Sequence, residues 1–238
     1  ARRADQLAHQ RGSFISTVSH ELRTPLTTLR MHAELLRDGL VSADKRRKFH
    51  DDMVQESVRL SHLVENVLEA TRLEEGRRPL RAKRANLGDT IRAIATAQAP
   101  FLQTKGFTVE VEADDVDASF DRQAIEQVVV NLLDNAVKYA SAADRTIRLE
   151  VKEDGAFAVL RVLDRGPGIP AAERDKVFAR FHRVQRPGEE HVVGTGLGLA
   201  LVRELAQAHG GSALAAERDG GGCTIEVRLP KQAPPERM

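Results

Sequence analysis

The first 75 residues repeat apolar and polar positions with the period of an amphipathic helix. The pattern lapses around Gly39, resumes at Phe49 and continues to Leu68, which predicts two antiparallel helices joined by a short turn. Two helices cannot bury both of their apolar faces alone, so we expect a second copy to complete a homodimeric four-helix bundle. The apolar stripe of the first helix consists of Ile15, Leu22, Leu26, Leu29, Ala33, Leu36 and Leu40.

A mixed pattern follows a break at Gly76–Pro79. Helical and strand-like stretches occur without regular β-α-β alternation, which predicts an α/β sandwich rather than a Rossmann fold. The expected chain is therefore multidomain, α and α/β, with a hairpin over residues 1–75, a linker over 76–86, an α/β domain over 87–230 and a flexible tail over 231–238. Predicted helices cover 87–99, 122–140, 171–177 and 197–208, and predicted strands cover 107–112, 147–152, 157–163, 212–217 and 224–229.

Composition narrows the classes of function. There are 36 Lys and Arg against 35 Asp and Glu, so the balance is not that of a nucleic-acid-binding module. The single cysteine, Cys223, excludes an internal disulfide framework and favours a reducing, cytoplasmic compartment for this segment. No apolar run approaches the roughly 20 residues that a membrane span needs, so we expect no membrane contact by this segment.

His20 is the first candidate for chemistry. With Ile15 at the first heptad position, His20 falls on the outward face, where a histidine is usually only solvated. Glu21 follows directly, Thr24 lies one turn later on the same face, and Pro25 can bend the helix. A metalloprotease zinc helix would need a second histidine at the position of Thr24, so that interpretation fails.

A polar stripe marks the predicted helix over residues 122–140. Asn131, Asn135 and Lys138 share one face of this helix, which otherwise carries valines and leucines. Two amides and an ammonium can hold Mg²⁺ and phosphate oxygens. A solvated polar face is the alternative interpretation.

Two glycine-rich segments complete the pattern. Asp164, Gly166 and Gly168 follow a predicted strand, where a carboxylate can accept a hydrogen bond from an exocyclic amine. Residues 194–200 lead directly into a helix whose first N–H groups can bind phosphate. This segment does not follow a strand, and no Gly-Lys-Ser/Thr occurs, so neither a Rossmann fingerprint nor a Walker loop fits.

Residues 14–26 resemble the phosphoacceptor box of two-component sensor histidine kinases. The resemblance implies that His20 is the residue phosphorylated and that Glu21 withdraws a proton from its far ring nitrogen. It also implies that Thr24 positions a water for dephosphorylation of the partner protein.

Residues 131–139, 164–170 and 194–200 resemble the N, G1 and G2 boxes of the GHKL (Bergerat-fold) ATPases, and residues 178–183, between the last two, resemble the F box specific to histidine kinases. The resemblance implies bound ATP and Mg²⁺, with residues 185–193 as a lid. It implies that Asn131 and Asn135 bind Mg²⁺ and phosphate, that Lys138 binds phosphate and that Tyr139 lines the nucleotide site. It implies that Asp164 recognises adenine and that Arg180 or Arg183 contacts the transferring phosphoryl group. Backbone contacts to the nucleotide are implied for Gly166, Gly168, Thr195, Gly196, Leu197 and Gly198.

We therefore expect the catalytic core of a sensor histidine kinase, which autophosphorylates His20 and passes the group to an aspartate of a separate response regulator. Exposed residues around Leu26–Leu36 are the expected docking surface for that regulator, and a phosphatase activity through Thr24 is expected in addition. A membrane anchor elsewhere in the full-length protein is common in the family. Two alternatives remain, a GHKL regulator that phosphorylates serine or only switches conformation, and a non-enzymatic dimeric scaffold.

Overall fold

The computed structural model describes residues 2–74, 80–139, 144–184 and 196–232. Clustering of the backbone separates two compact units, residues 1–74 and 75–238. The predicted break at 76–79, the predicted lid at 185–193 and most of the predicted tail lie outside the described residues. The side chains of residues 1–17, His20 and Glu21 also lie outside the description.

The first unit is the predicted helical hairpin. Helix α1 spans Arg2–Arg37 and helix α2 spans Ala43–Glu74. Gly39 takes a φ of 68° at the end of α1, a left-handed conformation that favours glycine and ends the helix. The N–H of Leu40 then donates to the carbonyl of Leu35 at 3.0 Å, which closes the turn.

The interior of the hairpin is small. The ring of His32 lies 4.5 Å from that of Phe49, and Val41 and Leu63 are buried. Seven other large apolar side chains of the two described helices and their turn are exposed, among them Leu26 and Leu40 of the predicted apolar stripe. They are Leu26, Met31, Leu40, Val54, Val58, Val64 and Leu68.

The second unit is built on a five-stranded sheet. Its order is β2-β4-β5-β7-β6, with β2 and β4 parallel and the other neighbours antiparallel. The strands are β2 (Thr108–Ala113), β4 (Thr146–Asp154), β5 (Phe157–Asp164), β6 (Ser212–Glu217) and β7 (Cys223–Pro230).

Three helices pack on this sheet: α3 (Leu87–Thr104), α4 (Arg122–Tyr139) and α5 (Gly198–Ala208). In β4 the alternate residues Ile147, Leu149 and Val151 are buried, as the period of a half-buried strand predicts, whereas β5 and β7 bury runs of consecutive residues. This architecture confirms the α/β sandwich. None of the described helices combines the length and apolar character that a membrane span requires.

A second, smaller sheet was not predicted. β1 (Lys83–Asn86) pairs antiparallel with β3 (Asp117–Phe120), and β1 falls within the stretch that the sequence assigned to the linker. A four-residue strand carries too little alternation to be recognised, and its partner is distant along the chain.

Two helix boundaries also differ from the prediction. Helix α3 continues through Pro100 to Thr104, because Leu102 in its last turn is buried. The predicted helix at 171–177 is instead two single 3₁₀ turns, Ala171–Glu173 and Lys176–Phe178.

Asp121 fixes the beginning of α4. Its Oδ1 accepts hydrogen bonds from the N–H groups of Gln123 (2.9 Å) and Ala124 (3.3 Å), and its Oδ2 accepts from the N–H of Arg81 (3.0 Å). The N–H of Asp121 donates to Nε2 of the buried His209 at 3.0 Å. The start of α4 is thereby tied to the end of α5 and to the chain that enters β1.

We predict that Asp121→Ala lowers the free energy of unfolding of the second unit by about 2 kcal/mol, because a helix cap and a long-range acceptor are lost together. Urea unfolding can be followed by the fluorescence of Tyr139, since the chain has one tyrosine and no tryptophan. The control is Asp115→Ala, which removes an exposed ion pair with Arg92 and should cost under about 1 kcal/mol. Equal losses in the two variants would contradict this role of Asp121.

Candidate nucleotide-binding site

Two amide side chains of α4 face the beginning of α5. Asn131 is buried, and its Nδ2 donates to the carbonyl of Gln127 at 2.9 Å. A Cβ placed on Gly198, the first residue of α5, would lie 3.2 Å from Oδ1 of Asn131 and 3.7 Å from Nδ2 of Asn135. The Nδ2 of Asn135 is buried and has no hydrogen-bond partner among the described residues. Asn131, Asn135 and the N-terminus of α5 at Gly198 therefore form a polar cradle, in which Nδ2 of Asn135 is the donor without a partner among the described residues.

The end of α4 approaches the segment after β5. A Cβ on Gly166 would lie 2.5 Å from the carbonyl oxygen of Tyr139, so only glycine allows this approach. Lys138, in the same turn of α4, forms an ion pair with Asp134. Tyr139 and Lys138 thus lie beside the segment that begins with Asp164.

Asp164 ends β5 with its carboxylate held by backbone donors. One carboxylate oxygen accepts from the N–H of Gly166 at 2.7 Å, and the carboxylate also accepts from the N–H of Cys223. Burial raises the pKa of Asp164 above its ordinary value, although these two bonds and the nearby Arg218 act in the opposite direction. The site therefore presents an oriented hydrogen-bond acceptor.

The segment 178–184 is held against α5. Arg180 donates from Nε to Oε1 of Glu204 at 2.8 Å, and Phe178 is buried beneath the guanidinium of Arg203. The N–H of Phe181 donates to the carbonyl of Gly196 at 2.9 Å.

Phe181 and Gly196 both adopt left-handed conformations, with φ of 64° and 66°. The hydrogen bond between Phe181 and Gly196 links the described residues on the two sides of the segment predicted as a lid.

The structure brings together most of the site residues that the sequence predicted. Asn131 and Asn135 meet Gly198, and Asp164 and Gly166 meet the end of α4. Gly168 has a φ of 71°, and its Cβ position lies 2.9 Å from the carbonyl oxygen of Gly222. Leu197 is buried, so its side chain serves packing.

The remaining predicted residues are less closely defined. Thr195 lies outside the described residues, as do the side chains of His20 and Glu21, although both of the latter lie in α1. Thr24 is exposed on α1, and its carbonyl accepts a hydrogen bond from Oγ1 of Thr28 at 3.2 Å. Arg183 is exposed.

Several residues around the site were not predicted. Glu204 is the partner of Arg180, and Arg165 donates to the turn between β6 and β7. Arg174 donates to the carbonyl of Ile169 at 3.1 Å and pairs with Glu217. No local pattern identifies these residues, because their partners, apart from Ile169, come from distant parts of the chain.

No preformed metal cluster occurs among the described residues. Groups of three or more His, Cys, Asp and Glu side chains that could hold a metal ion are absent from this part of the chain.

Comparisons with known proteins cover both units. The model for the His Kinase A (phospho-acceptor) domain matches residues 10–76, and the model for the histidine kinase-, DNA gyrase B- and HSP90-like ATPase matches residues 120–233. The sensor histidine kinase WalK of Bacillus subtilis is 33% identical over 232 residues, which are 95% of this chain and 38% of WalK. The chain thus spans little more than a third of the length of this relative.

Solved structures show the same fold. Full-length ShkA in complex with AMPPNP matches with a TM-score of 0.63 and 27% identity, over 93% of this chain and 47% of ShkA. The histidine kinase ThkA, solved in complex with the response regulator protein TrrA, matches with a TM-score of 0.72 and 23% identity, over 99% of this chain and 66% of ThkA.

The match to the ATPase model identifies the second unit as an ATP-binding domain of the GHKL class. A helical hairpin that matches the phosphoacceptor model precedes this domain in the same chain. The chain belongs to the two-component sensor histidine kinases, and it contains their phosphoacceptor and ATP-binding regions. The resemblance found in the sequence is confirmed.

Proposed function

We propose that this chain transfers the γ-phosphoryl group of ATP to His20 and then to an aspartate of a separate response regulator. The observation that carries the proposal is the buried, unpartnered Nδ2 of Asn135 beside the first residue of α5. A buried donor without an acceptor is costly, and a phosphate oxygen would satisfy it.

The nucleotide would lie between Asp164 and the polar cradle. The carboxylate of Asp164 would accept a hydrogen bond from the exocyclic amine of adenine, because Gly166 and Cys223 already fix its orientation. Tyr139 would line the nucleotide site at the end of α4. The backbone of Gly168, Thr195, Gly196, Leu197 and Gly198 would contact the nucleotide, with phosphates near the N-terminus of α5.

The cradle also fits Mg²⁺. Asn131 directs Oδ1 toward Gly198, and the side-chain amide of Asn135 lies beside it. Magnesium prefers oxygen ligands and keeps several waters, so one or two amide oxygens together with phosphates suffice. When bound, the ion would neutralise charge on the phosphate oxygens during transfer.

The two arginines would have different tasks. Arg180 is held by Glu204, so we assign it to fixing the segment 178–184 against α5. Arg183 is exposed, and we assign it to the transferring phosphoryl group. Lys138, at the end of α4, would contact phosphate from its position beside Asp134.

His20 would be the nucleophile. Its near ring nitrogen forms a bond to the γ-phosphorus, the bond between that phosphorus and the β,γ-bridging oxygen breaks, and ADP leaves. Glu21 would take the proton from the far ring nitrogen, which makes the near nitrogen nucleophilic. Thr24, exposed one turn later, would position a water for dephosphorylation of the regulator.

The hairpin would act as a homodimer. Its exposed apolar side chains, including Leu26, Val64 and Leu68, form a surface that a second hairpin would cover. The response regulator would dock on the outward faces around Leu26–Leu36, which a second hairpin would leave exposed, and on the beginning of α2. Because ATP and the regulator must both reach this part of the chain, we propose that it is cytoplasmic.

We predict that the chain acquires acid-labile, base-stable label from γ-³²P-ATP and Mg²⁺, and that His20→Gln abolishes it, since the acceptor nitrogen is lost. His50→Gln, on the exposed face of α2, is the matched control and should keep the label. Label that survives in His20→Gln would favour the serine-phosphorylating alternative. Failure to bind ATP would favour the scaffold.

We predict that Asp164→Asn weakens ATP binding about 10- to 100-fold, because a hydrogen bond to a charged acceptor is lost. Since burial raises the pKa of Asp164, protonation begins at a higher pH than the ordinary value of about 3.9 implies. The wild-type affinity relative to the Asn variant should therefore fall as pH is lowered toward that raised pKa. Titration calorimetry checks this ratio, and a ratio constant with pH would contradict the role of Asp164.

We predict that the chain sediments at twice its monomer mass at micromolar concentration. The double variant Val64→Glu/Leu68→Glu should weaken dimerisation at least about 100-fold, because each charge would be buried without a partner. Lys48→Glu adds the same side chain at an exposed position of α2 and is the control. A wild-type chain that sediments as a monomer would refute the dimer.

A further inference from the structure

The turn between β6 and β7 spans residues 218–222, and three of its five residues are glycines. It contains Gly220, Gly221 and Gly222, whose φ angles of 76°, 91° and 115° all lie in the left-handed region. A run of glycines has high conformational freedom in the absence of packing. Within the turn, the N–H of Gly221 donates to the carbonyl of Arg218 at 3.0 Å, and the carbonyls of residues 219–221 accept from outside the turn.

Arg165 binds those carbonyl oxygens. Its Nη1 donates to the carbonyls of Asp219 at 3.2 Å, Gly220 at 2.9 Å and Gly221 at 3.1 Å. A charged donor makes stronger hydrogen bonds than a neutral one. A single guanidinium thus holds three successive residues of the turn.

The turn lies directly against the segment that carries Asp164. A Cβ on Gly222 would lie 2.1 Å from the carbonyl oxygen of Asp164 and 3.1 Å from Cα of Arg165. On the other side, a Cβ on Gly168 would lie 2.9 Å from the carbonyl oxygen of Gly222. A displacement of the turn would therefore also displace the backbone at Asp164 and Gly168.

The next residue after the turn holds the carboxylate. Cys223 is the register partner of Asp164 across β5 and β7, and its N–H hydrogen-bonds to the Asp164 side chain. The direction of that N–H depends on where the turn places Gly222. A chain of contacts thus connects the guanidinium of Arg165, through the β6–β7 turn and the N–H of Cys223, to the carboxylate of Asp164.

We propose that Arg165 is a positioning residue for nucleotide binding. By holding residues 219–221, it fixes the position of Gly222 and the N–H of Cys223, and so orients the Asp164 carboxylate toward the exocyclic amine of adenine. This inference rests on the proposed function, because it assigns the adenine contact to Asp164. Arg165 itself contacts protein carbonyl oxygens and the carboxylate of Asp144, with which it pairs at 3.7 Å.

The test is autophosphorylation kinetics of the whole chain with Arg165→Met, which keeps the apolar stem and removes the donors. KM for ATP should rise about tenfold, while kcat at saturating ATP stays within about twofold of wild type. Arg165→Lys retains one cationic donor group and should recover part of the loss. A purely structural role would instead lower the active fraction, and so kcat, with KM unchanged, and that result would overturn the proposal.

Arg92→Met is the matched control. Arg92 donates to the carbonyl of Ala113 at 2.7 Å and pairs with Asp89 and Asp115, and its side chain is 41% exposed against 32% for Arg165. Arg92 lies on α3, which packs mainly on the edge strand β2, whereas Asp164 ends β5, two strands further into the sheet. KM should be unchanged in this variant, and a rise equal to that of Arg165→Met would overturn the proposal.

The preference for ATP over GTP is a second test, because a loss of stability alone would not change it. The ratio of kcat/KM for ATP over GTP should fall in Arg165→Met, because a misdirected Asp164 carboxylate would accept a weaker hydrogen bond from the exocyclic amine of adenine. An unchanged ratio together with an unchanged KM would overturn the inference while leaving the proposed function intact. A wild-type chain that binds no ATP would overturn the proposed function itself.

Discussion

Helix α4 is the element on which the nucleotide site depends, because the other site segments approach it where glycine removes a side chain. Gly198 allows α5 to begin beside the amides of Asn131 and Asn135, and Gly166 allows the segment after β5 to touch the carbonyl of Tyr139. A methyl group at Gly166 would collide with backbone, which cannot move aside as a flexible side chain can. Correct placement of α4 therefore sets the distance between the groups that would bind adenine and phosphate.

The site combines rigid backbone contacts with polar groups that remain to be satisfied. The carboxylate of Asp164 is partly desolvated, which raises its pKa, but two backbone N–H groups keep it a directed acceptor. The Nδ2 of Asn135 is buried without a partner among the described residues. A protein that binds no ligand here would gain stability by losing such a donor, so the arrangement favours recognition of phosphate.

The sequence was informative where a local pattern determines the structure. Heptad spacing predicts α1, a resumed helical pattern predicts α2, and strand-like patterns predict the five strands of the larger sheet but not their order in it. The motif residues of α4 were placed on one face before their partners were known. Local patterns failed where a distant partner decides the outcome: β1 is stabilised by β3, Arg180 by Glu204, and the continuation of α3 through Pro100 by the burial of Leu102. Arg165 belonged to a recognised motif, but its partners in the β6–β7 turn could not be inferred from spacing.

The central claim is that Asp164 and the amides of α4 hold the two ends of one ATP molecule. The most direct measurement is a crystal structure of this chain with AMPPNP and Mg²⁺. The account predicts the exocyclic amine of adenine within hydrogen-bond distance of the Asp164 carboxylate, about 2.7 to 3.2 Å, and a phosphate oxygen or the metal ion beside Asn135. Adenine bound away from Asp164, or phosphates that leave Nδ2 of Asn135 without a partner, would contradict it.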